Sequence, residues 1–148
     1  MKRFSFRLET LLRHRKNLEE KERNELFRLV SLLRRKCEQL QRLQDKNHAT
    51  LLELAGKKLS NAEHAEIGWF YAYLDRLRHE MEQCRQSIAQ LEKEIEDQKL
   101  LVIEASKHRK VLDTLKTRKE KEFSALVEKA EQKAVDEIVV VRFPHRPR

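Results

Sequence analysis

The side chains most capable of chemistry in this chain are two cysteines, Cys37 and Cys84, and six histidines. Imidazoles and thiolates hold a zinc-type ion when three or four of them converge from short, regular spacings. Here the histidines are scattered, and the nearest approach to a set, His64 with His79 or Cys84, lacks ligand spacing. No metal site is expected. There is no glycine loop to cradle phosphates, no nucleophile elbow and no His-Glu-x-x-His pair, so neither catalytic nor cofactor-binding residues are expected.

What remains is charge and aromatic surface. With 33 lysines and arginines against 25 acidic residues, the formal charge is +8, which suggests an anionic partner. The cations are clustered: Lys2, Arg3, Arg7, Arg13, Arg15 and Lys16 open the chain, and Lys107, Arg109, Lys110, Lys116, Arg118, Lys119 and Lys121 follow much later. Base-stacking aromatics are not interleaved with them, and glutamates dilute the patch. An acidic protein surface therefore fits better than nucleic acid. The aromatics gather elsewhere, at Trp69, Phe70, Tyr71 and Tyr73, close enough in sequence to circle a helix. Phe70 is expected inside, with Tyr73 or Trp69 available to a partner; closure of a turn and partner contact are both open readings of this cluster.

These residues must be held by something, and composition limits what. Of the 148 residues 39% are charged and 6% aromatic, which leaves little material for a globular core. Only Gly56, Gly68, Pro144 and Pro147 interrupt the helical pattern. Sustained apolar periodicity argues against disorder. No run approaches the about 18 apolar residues of a membrane span, and charges interrupt every candidate signal-peptide core in Met1 to Lys21. A cytosolic location is expected.

The clearest periodicity is Phe70, Leu74, Leu77, Met81, Cys84, Ile88, Leu91, Ile95, Gln98, Val102 and Ala105, in alternating steps of four and three. Such steps average about 3.5 residues, the repeat of a coiled-coil seam. Gln98 is the single breach. A second seam is read at Leu26, Val30, Leu33, Cys37, Leu40, Gln44, Asn47, Leu51 and Leu54, with Leu8, Leu11, Leu12 and Leu18 before it. Gln44 and Asn47 read as devices that limit slippage, and Leu29, Leu32, Leu43 and Leu52 widen the stripe.

Gly56 is expected to end the first helix in a left-handed cap, and Ser60-Asn61-Ala62-Glu63 fits a capping box for the second. The second helix is expected from Asn61 or from Trp69. A short connection makes two heptad helices antiparallel neighbours. The expected fold is all-α: a long antiparallel two-helix coiled-coil hairpin with an overhanging C-terminal helix, forming a single domain over 1–148. Helix 1 would span about 5–56, the connection 57–68, helix 2 from 61 or 69 to 139, and a basic tail 142–148. This register pairs Leu54 with Phe70, Cys37 with Cys84, and Leu11 with Val111 and Leu112. Both cysteines then serve as small buried apolar residues, because a reducing compartment disfavours a disulfide. The antiparallel arrangement also gathers the two basic clusters at one end. Beyond them Phe123, Leu126, Val127, Ala130 and Ala134 resume an apolar face with little to pack against.

Several motifs also carry a resemblance. Phe4-x-Phe6-x-Leu8-x-x-Leu11-Leu12-x-x-Arg15, then Trp69, Tyr73, Leu74 and Leu77 with Glu82-Gln83-Cys84-Arg85, and finally Lys133-x-x-Asp136-Glu137 resemble the flagellar export protein FliJ family over nearly the whole chain. Related stalk proteins of virulence type III secretion are similar in plan. The resemblance implies a non-enzymatic stalk that enters the hexameric export ATPase FliI, promotes its assembly and activity, and reaches the export-gate protein FlhA and export chaperones. It implies ring contact by Arg7, Arg13, Arg15, Lys119, Phe123, Lys133, Asp136 and Glu137. Gate contact would fall on Trp69, Tyr73, Leu77 and Cys84. A monomer within the complex, peripheral to the inner face of the cell membrane, is implied as well. The alternatives are a general coiled-coil adaptor, a nucleic-acid-associated basic rod, or the equivalent stalk of a virulence type III secretion system.

Overall fold

The computed structural model describes residues 2–61 and 63–142, which fold into two helices, α1 (Glu9–Leu59) and α2 (His64–Arg142). There is no strand among the described residues, and the fold is an all-α helical hairpin. The tail expected beyond Arg142, with Pro144 and Pro147, lies outside the described residues. Two compact units divide the chain. Unit 2 contains residues 21–103, and unit 1 contains the residues before and after it.

Unit 2 is an antiparallel helix pair around an apolar seam. On α2, Phe70, Leu74, Leu77, Met81, Cys84, Ile95 and Gln98 are buried, and Ile88, Leu91 and Val102 are half-buried. That stripe is the one expected. It packs on Leu43 and Leu40 in one layer and on Leu54 in the next. Each such aliphatic side chain removed from water contributes about 1.5–3 kcal/mol before the cost of ordering the chain.

On α1 the expected seam is right at alternate positions and displaced at the others. Leu26, Leu33, Leu40, Asn47 and Leu54 face inward, but Leu29 and Leu43 are 5% and 7% exposed where Val30 and Leu51 are 46% and 47% exposed. The true seam runs 26, 29, 33, 36, 40, 43, 47, 50, 54. Leucines at 29 and 43 bury more surface than the competing stripe, which offered Val30, Cys37 and Gln44. The rotation also exposes Cys37, correcting its expected burial beside Cys84. Cys84 remains inside and its thiol donates to the Lys36 carbonyl at 3.5 Å.

The polar seam residues are satisfied. Gln98 Nε2 donates to the Glu22 carbonyl at 2.9 Å and to its carboxylate at 2.5 Å, which ties one layer of α2 to one layer of α1. Thr50 returns its hydroxyl to the Lys46 carbonyl at 2.7 Å. Left unmade, each bond would cost about 1–3 kcal/mol, and the Gln98 contact, which crosses between the helices, also discriminates against slipped registers.

The hairpin end also departs from expectation. Gly56 does not terminate α1, which continues to Leu59, and no glycine has a positive φ. Asn61 takes the left-handed conformation instead, at φ 55°. Asparagine tolerates that region better than most residues because its amide can bond locally. Ser60 does not begin a capping box; its hydroxyl donates to the Lys57 carbonyl at 3.1 Å, at the end of α1. Gly68 lies inside α2. Lys57 and Glu66 join the two helix ends at 2.9 Å, and this carboxylate raises the lysine pKa.

Unit 1 pairs the start of α1 with α2 from Glu104 onward, and its interior is different in kind. Leu12 is fully buried and Leu112 nearly so, but Glu19, at 5% exposed, lies among them. Before α1, Phe6 accepts the Glu9 amide at 3.1 Å, and Phe4 sets its ring 5.7 Å from that of Phe123. From Ser124 to Arg142 every residue of α2 is exposed.

Candidate functional site

The residues assigned to ring contact fall in unit 1, and the structure sorts them into groups. Arg7, Lys119 and Phe123 share an open groove of about 540 Å³ with Phe4, Phe6 and Leu126. Its floor is aromatic and aliphatic, and its rim is cationic: Arg3 and Arg7 stand on one side, while Lys119 reaches Glu122 at 3.4 Å on the other. Arg15 lines a second hollow with Leu11, Lys107, His108 and Val111, and is half-buried. Arg13 stands exposed outside both. Lys133, Asp136 and Glu137 cluster farther along α2 beside Val140 and Val141. Asp136 accepts the Gln132 amide at 3.3 Å.

The Ser124 to Arg142 stretch carries Leu126, Val127, Val135, Ile138, Val139, Val140 and Val141, exposed by 37–79%. Apolar side chains in such number on one uncovered helix mark a surface suited to a partner. Their arrangement against charged Lys133, Asp136 and Glu137 offers shape and polarity, and no group placed to break a bond.

Unit 1 also contains a polar network that sequence reasoning missed. Arg109 bonds the buried Glu19 carboxylate, and its other arm meets Asp113 at 2.5 Å. Lys16 lies 3.9 Å from Asp113, and Lys116 reaches Glu9 at 2.9 Å. The Glu19 bond, then that of Asp113, raises the Arg109 pKa, and Glu9 does the same for Lys116. A signal for this existed. Continued in steps of four and three, the α1 seam runs backward through Glu22, Glu19, Arg15 and Leu12, and the α2 seam forward through Arg109, Leu112 and Lys116. Opposite charges at facing seam positions forecast an internal ion pair.

The residues assigned to gate contact lie in unit 2 and divide between surface and core. Trp69 is 61% exposed and stacks on half-buried Tyr73 with ring centroids 5.5 Å apart and planes 4° from parallel. Phe70 is internal and takes the edge of the indole at 5.2 Å. Tyr71 faces outward beneath Lys58, whose Nζ is 5.1 Å from its ring centroid. Leu77 and Cys84, at 2% and 3% exposed, are core residues, so only Trp69 and Tyr73 of that group present surface.

Comparison with known families is decisive at this point: the model of the flagellar FliJ protein family matches residues 4–148. The chain belongs to the FliJ family. No curated protein and no solved structure matches it. Membership gives this FliJ-family chain a role related to flagellar export, within a family of non-catalytic export proteins, and associates it with the export apparatus. Among its described residues no helix is long and apolar enough to cross a membrane.

Proposed function

We propose that this FliJ-family chain is a stalk of the export ATPase complex, entering the FliI hexamer through unit 1 and promoting its assembly and activity. The observation that carries the reading is the uncovered stretch Ser124 to Arg142, exposed along its whole length and preceded by a cationic groove. A helix with apolar side chains on its surface and cations at its approach suits an acidic collar with apolar pockets. Arg7, Arg13, Arg15, Lys119 and Phe123 meet the ring at the groove and its surroundings, and Lys133, Asp136 and Glu137 meet it farther along. The stacked Trp69 and Tyr73 of unit 2 form the contact with FlhA, with Leu77 and Cys84 supporting that surface from beneath. Export chaperones are exchanged at the same complex, which lies at the inner face of the cell membrane.

The test is stimulation of FliI ATP hydrolysis by the purified chain. Combined charge reversal at Arg13, Arg15 and Lys119 is expected to abolish most of the stimulation while circular dichroism stays helical. Undiminished stimulation by that variant sinks the reading.

A further inference from the structure

Unit 2 carries a charge pattern that the docking reading leaves unused. Lys21, Arg28, Arg35 and Arg42 recur at seven-residue steps along α1, and all four are exposed. A heptad repeat keeps such residues on one face of a coiled-coil helix. Beside this face lies an open groove of about 790 Å³, walled on α1 by Lys36 and by Gln39, which is one helical turn from both Arg35 and Arg42, and on α2 by Gln83, Ser87, Gln90 and the Glu80 carboxylate. Half-buried Leu32 and Leu91 give it an apolar floor.

The ladder differs along its length in what neutralises it. Arg28 forks onto Glu25 with bonds of 2.6 and 3.0 Å. That carboxylate, with a smaller contribution from Glu94 of α2, holds the guanidinium above its ordinary pKa. Arg35 and Arg42 make no ion pair with any described residue. Two acids of α2 near this section are engaged elsewhere, Glu80 with Arg76 at 3.2 Å and Glu82 with Arg85 at 3.8 Å. On α1 itself, Glu38 and Asp45 oppose five cations, Arg34, Arg35, Lys36, Arg42 and Lys46, and Asp45 already accepts the Gln41 amide at 3.0 Å. Uncompensated positive charge at Arg35 and Arg42 thus lies beside an apolar floor and a wall of amides and hydroxyl, in which the Glu80 carboxylate is already held by Arg76.

We infer that this groove docks an acidic amphipathic helix of a partner protein, with its apolar side on Leu32 and Leu91 and carboxylates seven residues apart on Arg35 and Arg42. Seven residues of helix rise about 10.5 Å, so a helix lying along α1 reaches both arginines in step. Guanidinium–carboxylate forks then supply orientation, and the leucines supply the apolar contact. A nucleic acid fits less well, because no aromatic side chain lines the groove for a base to stack on. The inference stands on unit 2 alone and does not depend on how unit 1 meets the ATPase.

The test uses the full chain and a fluorescent designed peptide of about three heptads with glutamates at seven-residue steps beside a leucine stripe. Binding is read by anisotropy at low and moderate salt. The Arg35→Glu, Arg42→Glu double variant is expected to weaken binding about tenfold or more, as is replacing the peptide glutamates by glutamine. Arg35→Lys with Arg42→Lys should retain most of the affinity, and charge reversal at Arg13 should change nothing. If the reversed pair disturbs helicity, Arg35→Gln with Arg42→Gln carries the same comparison. Equal binding of the acidic and neutral peptides overturns the proposal. So does an unaffected reversed variant, single-stranded RNA binding more tightly than the acidic peptide at the same arginines, or self-association that disappears in the Arg35→Glu, Arg42→Glu variant.

Discussion

Unit 2 and unit 1 are built from the same two helices, yet one has a hydrocarbon seam and the other a charged one. In unit 2 the interior is a ladder of leucines, Phe70, Met81, Cys84 and Ile95, with Gln98 and Thr50 as satisfied polar rungs. In unit 1 the corresponding positions hold Glu19, Arg109 and Lys116, and among the described residues full burial is reached only at Leu12. Apolar burial is not weakened by ionic screening and tolerates small rotations, so it suits a permanent scaffold. Ion pairs fix register through direction and distance, add little net stability where exposed, and weaken with salt. The contrast sets a screening-insensitive seam in unit 2 against a salt-sensitive one in unit 1, and under the proposed function it is the second that meets the ATPase.

The largest effect should come from breaking the scaffold. Leu77→Ala, at a side chain 2% exposed and packed with Leu43, Met81 and Cys84, is expected to cost about 2–5 kcal/mol in chemical denaturation. A loss below about 1 kcal/mol would place Leu77 outside the core.

A smaller loss is expected in the charged unit. Arg109→Met removes the guanidinium from the buried Glu19 carboxylate and should lower the thermal midpoint by less than Leu77→Ala does. Combining it with Glu19→Leu should restore the midpoint, since a neutral pair of similar volume needs no compensating charge. Failure of the double variant to recover would show that the pair supports more than its own burial.

Gly56→Ala sharpens the comparison from the other direction. Gly56 is within α1, and an added Cβ there meets nothing within 4 Å, as is also true at Gly68. Each substitution should stabilise the chain by about 0.5–1 kcal/mol. Destabilisation by Gly56→Ala would restore the glycine to the role of helix terminator.

The smallest effect concerns pH. The Arg28 hydrogen bond holds the Glu25 carboxyl below the ordinary carboxylate range against the opposing effect of burial, with a lesser contribution from the guanidinium charge. Its stabilising contribution is therefore present above the unfolded pKa of about 4.3 and is lost as pH falls through the depressed folded value. Glu25→Gln should flatten the acid limb of a stability–pH profile slightly and leave neutral behaviour unchanged. An unchanged acid limb would remove the pair from the account.

Much of this was legible in the sequence, and the failures have identifiable causes. The α2 seam can be read residue by residue because it has a single apolar stripe. Helix α1 offers two overlapping stripes, and the choice between Leu29 with Leu43 and Val30 with Leu51 depends on the surface that α2 presents. Gly56 has the usual signature of a helix end, but its φ is not positive, α1 continues to Leu59, and Asn61 takes the left-handed conformation. Glu19 and Arg109 were missed because charge ordinarily signals solvent; only their facing seam positions reveal an interior pair. The exposed Trp69 and Tyr73 were legible as an aromatic cluster, whereas the burial of Leu77 and Cys84 follows from the seam itself.

Residue-resolved hydrogen exchange on the full chain, at low and at high salt, tests the division between the two units most directly. Amides of α2 from Phe70 to Gln98 should exchange slowly at both salt concentrations, those from Ser124 to Arg142 rapidly at both, and those around Glu19, Arg109 and Lys116 faster as salt rises. Uniform protection through Arg142, or an identical salt response around Leu77 and Arg109, would contradict a hydrocarbon seam in unit 2 and a charge-held one in unit 1.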